Sequence, residues 1–299
     1  MDTFLEQVVN GLGLTGPILL VAMSLLTALA ATRVLNVAVG AAYALSAIIA
    51  IRGATSFGIT GFLLAALLLP IVLLVVMELV ALRWQRKRSG DVEIGGFAAT
   101  LGFSIIITAV AALLTQSQPV ELPPDFLRVQ QHFRIGGVTV QLLPIIVLVV
   151  ALVITIVWAW ALRHTNSGKQ YRALAADHEL AATVGIRTGN VALKAWAISG
   201  LFVGIATILL LLQSRSSSAN AGSDVLLTPF AAVIAGGMGN IRATVIVSFF
   251  FGIASSLLVL VTSSAAFQQV LVFAVLFLVL AIRPDGLGGR SHQSGRRAY

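Results

Sequence analysis

Eight long stretches of this chain carry no charged residue: 7–32, 34–51, 53–77, 94–120, 135–162, 195–214, 225–241 and 243–282. A bilayer crossing takes about 20 consecutive apolar residues, so most of these runs can span one. Of the 299 residues, 58% are hydrophobic and 10% charged, against roughly 25% charged in soluble domains. A soluble enzyme core and a disordered chain are both excluded on that balance. The pattern predicts an all-α, polytopic integral membrane protein, a single domain over 1–299.

The last run is 40 residues long with Thr262-Ser263-Ser264 near its middle, which predicts two helices. The run 225–241 is short, begins near Pro229 and ends in Gly236-Gly237-Met238-Gly239, which reads as a broken or half-length helix. The expected count is about eight transmembrane helices plus this short element.

Basic residues set the orientation, because cytoplasmic loops collect Lys and Arg. Arg83, Arg86, Lys87 and Arg88 fall in one loop, and Arg163, Lys169, Arg172, Arg187 and Lys194 in the polar segment 163–194. Arg283, Arg290, Arg296 and Arg297 lie on the tail that includes 284–299. Placing these inside brings Arg33 and Arg242 with them, and leaves only Arg52, Arg128, Arg134 and Arg215 outside. The N-terminus is then external and the C-terminus cytoplasmic. Ala28-Leu29-Ala30 has the form of a signal-peptidase site, but the acidic start Met1-Asp2-Thr3-Phe4-Leu5-Glu6 is unlike a signal peptide. The net charge of +8 is explained by this placement and does not call for a nucleic-acid partner.

Catalytic signatures are missing from the sequence. Gly168-Lys169 is followed by Gln170, so no phosphate-cradling loop is present. His178-Glu179 lacks a second histidine four residues on, and His132, His164 and His292 are scattered in polar loops. No cysteine is available as a nucleophile or metal ligand. Neither a metal site nor a bound cofactor is expected. ATP, if it drives the protein, is hydrolysed by another chain.

Polar groups inside apolar spans are costly and mark function by default. Asn36 opens the second span in Asn36-Val37-Ala38-Val39-Gly40-Ala41-Ala42-Tyr43; a helix cap, an interhelical hydrogen bond and a place beside a pathway are all open to it. Glu78 at the end of the third span is read as an interfacial ion pair within reach of Arg83. Gly236, Gly237 and Gly239 would break a helix and expose backbone at membrane depth, which is tolerated inside protein or beside a wet cavity. Residues 170–184 favour helix, with Ala173, Asp177 and Ala181 four apart on one face and Gly185 as the stop. Such a segment suits docking into a groove on a cytoplasmic partner; lying on the lipid headgroups is the alternative.

Four motifs in order resemble one family, the branched-chain amino acid ABC transporter permeases. They are Asn36-x-Ala38-x-Gly40-x-x-Tyr43, Gly168-Lys169-x-x-Arg172-Ala173-x-Ala175-x-Asp177-x-x-x-Ala181-x-x-x-Gly185-Ile186, Gly236-Gly237-Met238-Gly239-Asn240, and Arg283-Pro284-x-Gly286-Leu287-x-Gly289. The resemblance covers nearly the whole chain and suggests the shorter, H-type permease subunit. It implies a bacterial inner (plasma) membrane, and as partners a second related permease, two ATP-binding ATPase subunits and an extracytoplasmic solute-binding protein. It implies transport of branched-chain amino acids, or of other amino acids, urea or amides. Arg172, Ala173, Asp177, Ala181 and Gly185 would form the coupling helix to the ATPase. Asn36, Gly40, Tyr43, Gly236, Gly237, Gly239 and Asn240 are candidates for the translocation path. The chain departs from the family at Arg33, Val39, Ala41 and Arg242-Ala243-Thr244. A stand-alone secondary transporter or channel would need ionisable groups deep in its spans, and these runs have none. A membrane enzyme would likewise need polar catalytic groups there.

Overall fold

The computed structural model describes residues 2–85, 92–126, 132–135, 138–237, 239–262, 266–283 and 286–288. Its helices are α1 (Asp2–Thr32), α2 (Ala38–Met77), a π-turn (Glu78–Leu82), α3 (Arg83–Gln85), α4 (Val92–Thr115), α5 (Leu142–His164), α6 (Asn166–Ala176), α7 (His178–Thr183), α8 (Thr188–Ser214), α9 (Ala221–Gly236), α10 (Ile241–Thr262) and α11 (Ala266–Ile282). Four short strands, β1 (Val120–Glu121), β2 (His132–Ile135), β3 (Val138–Gln141) and β4 (Ser216–Ser217), lie in the connections. Among the described residues six helices are long and apolar enough to cross a membrane, with α9 and the apolar part of α11 shorter. The protein is an all-α, multi-pass membrane protein.

α2 is too long for one crossing, and it reverses at Gly58. The backbone there has φ 64° and ψ −144°, a conformation closed to residues with a Cβ. Gly53 and Gly61 consequently pack backbone to backbone, whereas eight residues of straight helix would hold them about 12 Å apart. Leu69 and Leu73 return against the cluster containing Leu45 and Ile48. The two arms, 38–57 and 59–77, correspond to the runs 34–51 and 53–77, with the turn at Gly58 falling beyond Arg52, where the runs divide.

The core is knit where small residues let backbones approach. Gly11 of α1 meets Ile253 of α10, Gly13 and Gly16 meet Pro144 and Val147 of α5, and Gly200 and Gly204 of α8 meet Ile71 and Leu67 of α2. α1 is therefore central, with Leu19, Leu20, Val21, Ala22 and Met23 fully buried. Arg33, Arg83, Arg163, Arg172, Arg187 and Arg242 gather at one end of the bundle, the basic end; Arg52 and Arg215 lie at the other. Arg86, Lys87, Arg88, Arg128, Arg290, Arg296 and Arg297, and most of the tail 284–299, lie outside the described residues.

Several boundaries differ from the sequence reading. The run 94–120 stops being helix at Thr115, where Gln116 and Ser117 take positive φ and the chain goes on into β1. Within the run 135–162, residues 138–141 form a strand paired with β2, and helix starts only at Leu142. Val138-Thr139-Val140-Gln141 alternates apolar and polar, the strand period. α9 starts at Ala221, eight residues before Pro229, which sits inside it. The split of the run 243–282 stands, with α10 ending at Thr262 and α11 beginning at Ala266.

Candidate functional site

Two interruptions meet deep in the bundle. After α1 ends, residues 34–36 run without helical structure before α2 begins at Ala38. Unpaired backbone at membrane depth must be satisfied by protein, and Thr100 of α4 does this. Its hydroxyl lies 3.0 Å from the Leu35 carbonyl, to which it donates, and accepts from the Val37 N–H at 3.5 Å. The second interruption precedes α9. β4 pairs antiparallel with β1, Val120 opposite Ser217, and the Arg215 guanidinium donates to the carbonyls of Pro123 and Phe126 at 2.8 and 2.9 Å. From this anchored loop α9 begins level with the middle of α4. At 16 residues it is roughly 24 Å long, short of a full crossing.

Gly40 and Gly222 bring the two helix starts into backbone contact. Between them and α4 lies a cavity of about 160 Å³, lined by Val37, Ser104, Thr108, Asn220 and Ser223 among others. Two helix N-termini and several hydroxyl and amide groups face this small space, a combination that favours anionic groups. Asn36 beside it is fully buried, and neither its amide nitrogen nor its amide oxygen has a hydrogen-bond partner. The cap and the interhelical hydrogen bond considered for Asn36 are therefore absent: α2 has no side-chain cap. Tyr43, seven residues on, is buried with its phenol toward Ser217 of β4.

The glycine turn lies apart from this cavity. Gly236 packs on Thr244, and Gly286 packs on Gly237. Asn240 caps α10 by accepting from the Ala243 N–H at 3.2 Å, and its amide donates to the Gly288 carbonyl. The Leu287 and Gly288 N–H groups donate to the carbonyls of Ala235 and Gly236. Gly239 faces a different cavity at the basic end. Met238 and Pro284 lie outside the described residues.

The segment 166–183 is two helices, which corrects the single helix expected over 170–184. Asp177 breaks it, with φ −155° and ψ 118°, and its Oδ1 accepts the N–H groups of Glu179 and Leu180 at 2.9 and 3.0 Å. Aspartate competes for backbone donors and favours a cap over a helix interior. Ala173, Asp177 and Ala181 therefore do not share one helical face. Ala173 is half-buried and accepts the Asp177 N–H, while Ala181 is 3% exposed, in a cluster with Ala31, Leu162, Tyr171, Leu174 and Val191. Gly185 ends α7 with φ 85°: Ile186 N–H reaches Ala181 and Gly185 N–H reaches Ala182, a Schellman motif as expected of a glycine stop.

What faces outward is Leu180, 65% exposed, and Val184, 71% exposed. Sequence reading passed over this pair, although two apolar residues four apart in a polar segment were a readable signal. The base of the segment is fixed by Tyr171, whose hydroxyl donates to the Thr27 carbonyl at 2.9 Å and whose ring meets Trp158 edge-on. Burial pushes the Tyr171 phenol well above its ordinary range. Glu78 is buried on the π-turn. Among the described residues, no three His, Asp or Glu side chains converge as a metal site would require.

The profile of the branched-chain amino acid transport system permease component matches residues 7–280. The chain is 25% identical over 301 residues to the high-affinity branched-chain amino acid transport system permease protein BraD of Pseudomonas aeruginosa, covering 96% of both chains. It is 26% identical over 302 residues, again 96% of both, to the corresponding LivH of Escherichia coli K12. A shorter similarity, 25% over 196 residues and 63% of this chain, joins it to 60% of the ribose import permease protein RbsC of Escherichia coli K12.

Proposed function

Because the chain belongs to the branched-chain amino acid transport permease family, we propose that it is the membrane-spanning subunit of an ABC importer. Its solute is a branched-chain amino acid or a related small polar molecule such as another amino acid, urea or an amide. It works with a second related permease, two ATPase subunits and an extracytoplasmic solute-binding protein. The basic end faces the cytoplasm and the N-terminus lies outside, on the distribution of Lys and Arg.

The observation that carries this reading is the buried, unpartnered amide of Asn36 beside the meeting of α2 and α9. An unsatisfied buried amide costs about 1–3 kcal/mol, and broken helices at mid-depth serve to coordinate charged solutes in transporters. A passing amino acid offers a carboxylate to helix N-termini and an ammonium to carbonyl oxygens. Leu180 and Val184 form the knob that enters a cleft of the ATPase, and Asp177 fixes its angle. Motion of the knob reaches the core through Tyr171 and Thr27. The secondary-transporter reading is disfavoured because Glu78 is the one charged residue buried among the described residues.

The test is uptake of labelled leucine, isoleucine and valine by cells with and without the chain. Loss on deletion and return on re-expression are expected. Unchanged uptake of these and of related amino acids and amides would refute the reading.

A further inference from the structure

A second cavity at the basic end, about 260 Å³, lies between the last turns of α5, the start of α6 and the start of α8. Trp158 and Tyr171, which also line the cavity that Gly239 faces, form one wall of it. Gly168 seats α6 against the end of α5, where a Cβ would overlap the Ala161 carbonyl oxygen. The Thr165 hydroxyl fixes this junction by accepting the Gly168 N–H at 3.0 Å. Ser167 and Gln170 of α6 and Lys194 of α8 line the cavity and are exposed, so they stand at its mouth.

Charge decides the sign of the occupant. α5, α6 and α8 hold no aspartate or glutamate along their length, and carry Arg163, Lys169, Arg172 and Lys194, all exposed. The acids nearest in the chain, Asp177 and Glu179, belong to α7 and its cap, which supply no lining residue. An anion is therefore attracted with no carboxylate on the lining to oppose it.

Depth and shape decide its kind. Thr165 marks the end of the α5 crossing, and Trp158 lies about 10 Å deeper along the helix. The cavity thus sits at the level of lipid headgroups and the first methylenes. Beyond the mouth its walls are mainly apolar, with Trp158, Val191, Ala195 and Ile198. Lys194, Ala197, Ile198 and Leu201 recur three and four apart, one stripe leading along α8 from the cation into the apolar span. Leu201 on that stripe is 41% exposed. A soluble anion would leave this wall in water, whereas an anionic lipid covers it; basic pockets between spans hold such headgroups at the membrane surface.

We propose that this cavity binds one anionic phospholipid of the phosphatidylglycerol type, and that the lipid braces α6 against α8. Its phosphodiester lies on Lys194 and Gln170, and an acyl chain runs along Ile198 and Leu201. The inference needs only that the basic end lies at a membrane surface, and does not depend on the solute.

The chain has no cysteine, so Ser167→Cys places a single thiol at the mouth. The full-length variant is labelled with N-ethylmaleimide in nanodiscs of phosphatidylcholine, with or without a minority of phosphatidylglycerol. Phosphatidylglycerol is expected to slow labelling about tenfold, the factor for a site about nine-tenths occupied. Thr183→Cys on α7, which senses the negative surface but not the cavity, should slow at most about twofold. Lys194→Gln added to Ser167→Cys should label at the phosphatidylcholine rate in both discs. Lys169→Gln, exposed beside Gln170 but outside the lining, should keep the protection. Both lysines are exposed, so neither substitution disturbs packing. Hydrogen exchange over 166–176 should also slow with phosphatidylglycerol. Glycerophosphoglycerol, the headgroup without its chains, should not protect when added to phosphatidylcholine discs. No protection by phosphatidylglycerol overturns the proposal. Equal slowing in Thr183→Cys, or equal loss in the two lysine variants, overturns it in favour of diffuse attraction to the surface. Equal protection by the chainless headgroup overturns it in favour of a soluble-anion site. Unchanged exchange over α6 overturns the brace.

Discussion

Gly40 of α2 and Gly222 of α9 press backbone on backbone, so that a methyl group on either would overlap the other's carbonyl oxygen. Gly40→Ala or Gly222→Ala must push apart the two helix starts that frame the mid-depth cavity. Overpacking of this kind costs about 1–3 kcal/mol. Both variants are expected to unfold at lower temperature in detergent and to lose most uptake. Gly102→Ala, where a Cβ meets nothing within 4 Å, should leave uptake intact and gain up to about 1 kcal/mol in helix propensity. Normal uptake in Gly40→Ala would remove this contact from the path.

Asp177 acts on α7 through an oxygen that accepts two N–H groups, which separates its cap from its charge. Asp177→Asn keeps an acceptor and should retain most uptake. Asp177→Ala loses the cap, at about 1 kcal/mol, and should speed hydrogen exchange over 178–183 and lower uptake. Equal loss in both variants would make charge the operative property.

Leu180 and Val184 stand in solvent while Ala181, between them in sequence, is buried. Leu180→Asp with Val184→Asp should insert in the membrane in normal amounts yet fail to co-purify with the ATPase. Ala181→Arg places a charge inside a packed cluster, and should lower the amount of folded protein by several kcal/mol's worth of stability, on the order of 3–5. Normal ATPase association in the double aspartate variant would clear this knob of the coupling role.

The spans were legible because the solvent is lipid: a missing charge over 20 residues is a strong signal that needs no tertiary context. The reversal at Gly58 was visible only as Arg52 between two runs. The break at Asp177 was not visible in the alanine spacing, which fits a continuous helix. Its cause is local, since aspartate caps better than it propagates helix. Asn36 and Gly40 were readable as polar and small residues in an apolar run. Their counterparts Gly222, Asn220, Ser104 and Thr108 were not, because nothing local in 219–223 says that this stretch dips to meet α2 from nearly two hundred residues away. Gly236, Gly237 and Asn240 read as pathway candidates, and the structure places them against the tail at 286–288 instead of beside Asn36.

Tyr171 has its phenol raised by burial from an ordinary value of 10.0. The folded state therefore keeps its proton where the unfolded state loses it. The stability this contributes is full below about pH 10 and declines as pH rises above that. Tyr171→Phe should lose about 1 kcal/mol at neutral pH from the bond to Thr27. The gap between variant and parent should narrow above pH 10 in unfolding measurements. A gap that widens there would contradict the buried, protonated phenol.

Energy coupling is decided most directly by uptake of labelled leucine in cells that hold the chain with its partner ATPase disabled at the catalytic carboxylate, the membrane potential being monitored throughout. Uptake should fall to background while the potential is unchanged. Uptake that persists on the ion gradient alone would contradict an ATP-driven permease and establish the chain as a transporter acting by itself.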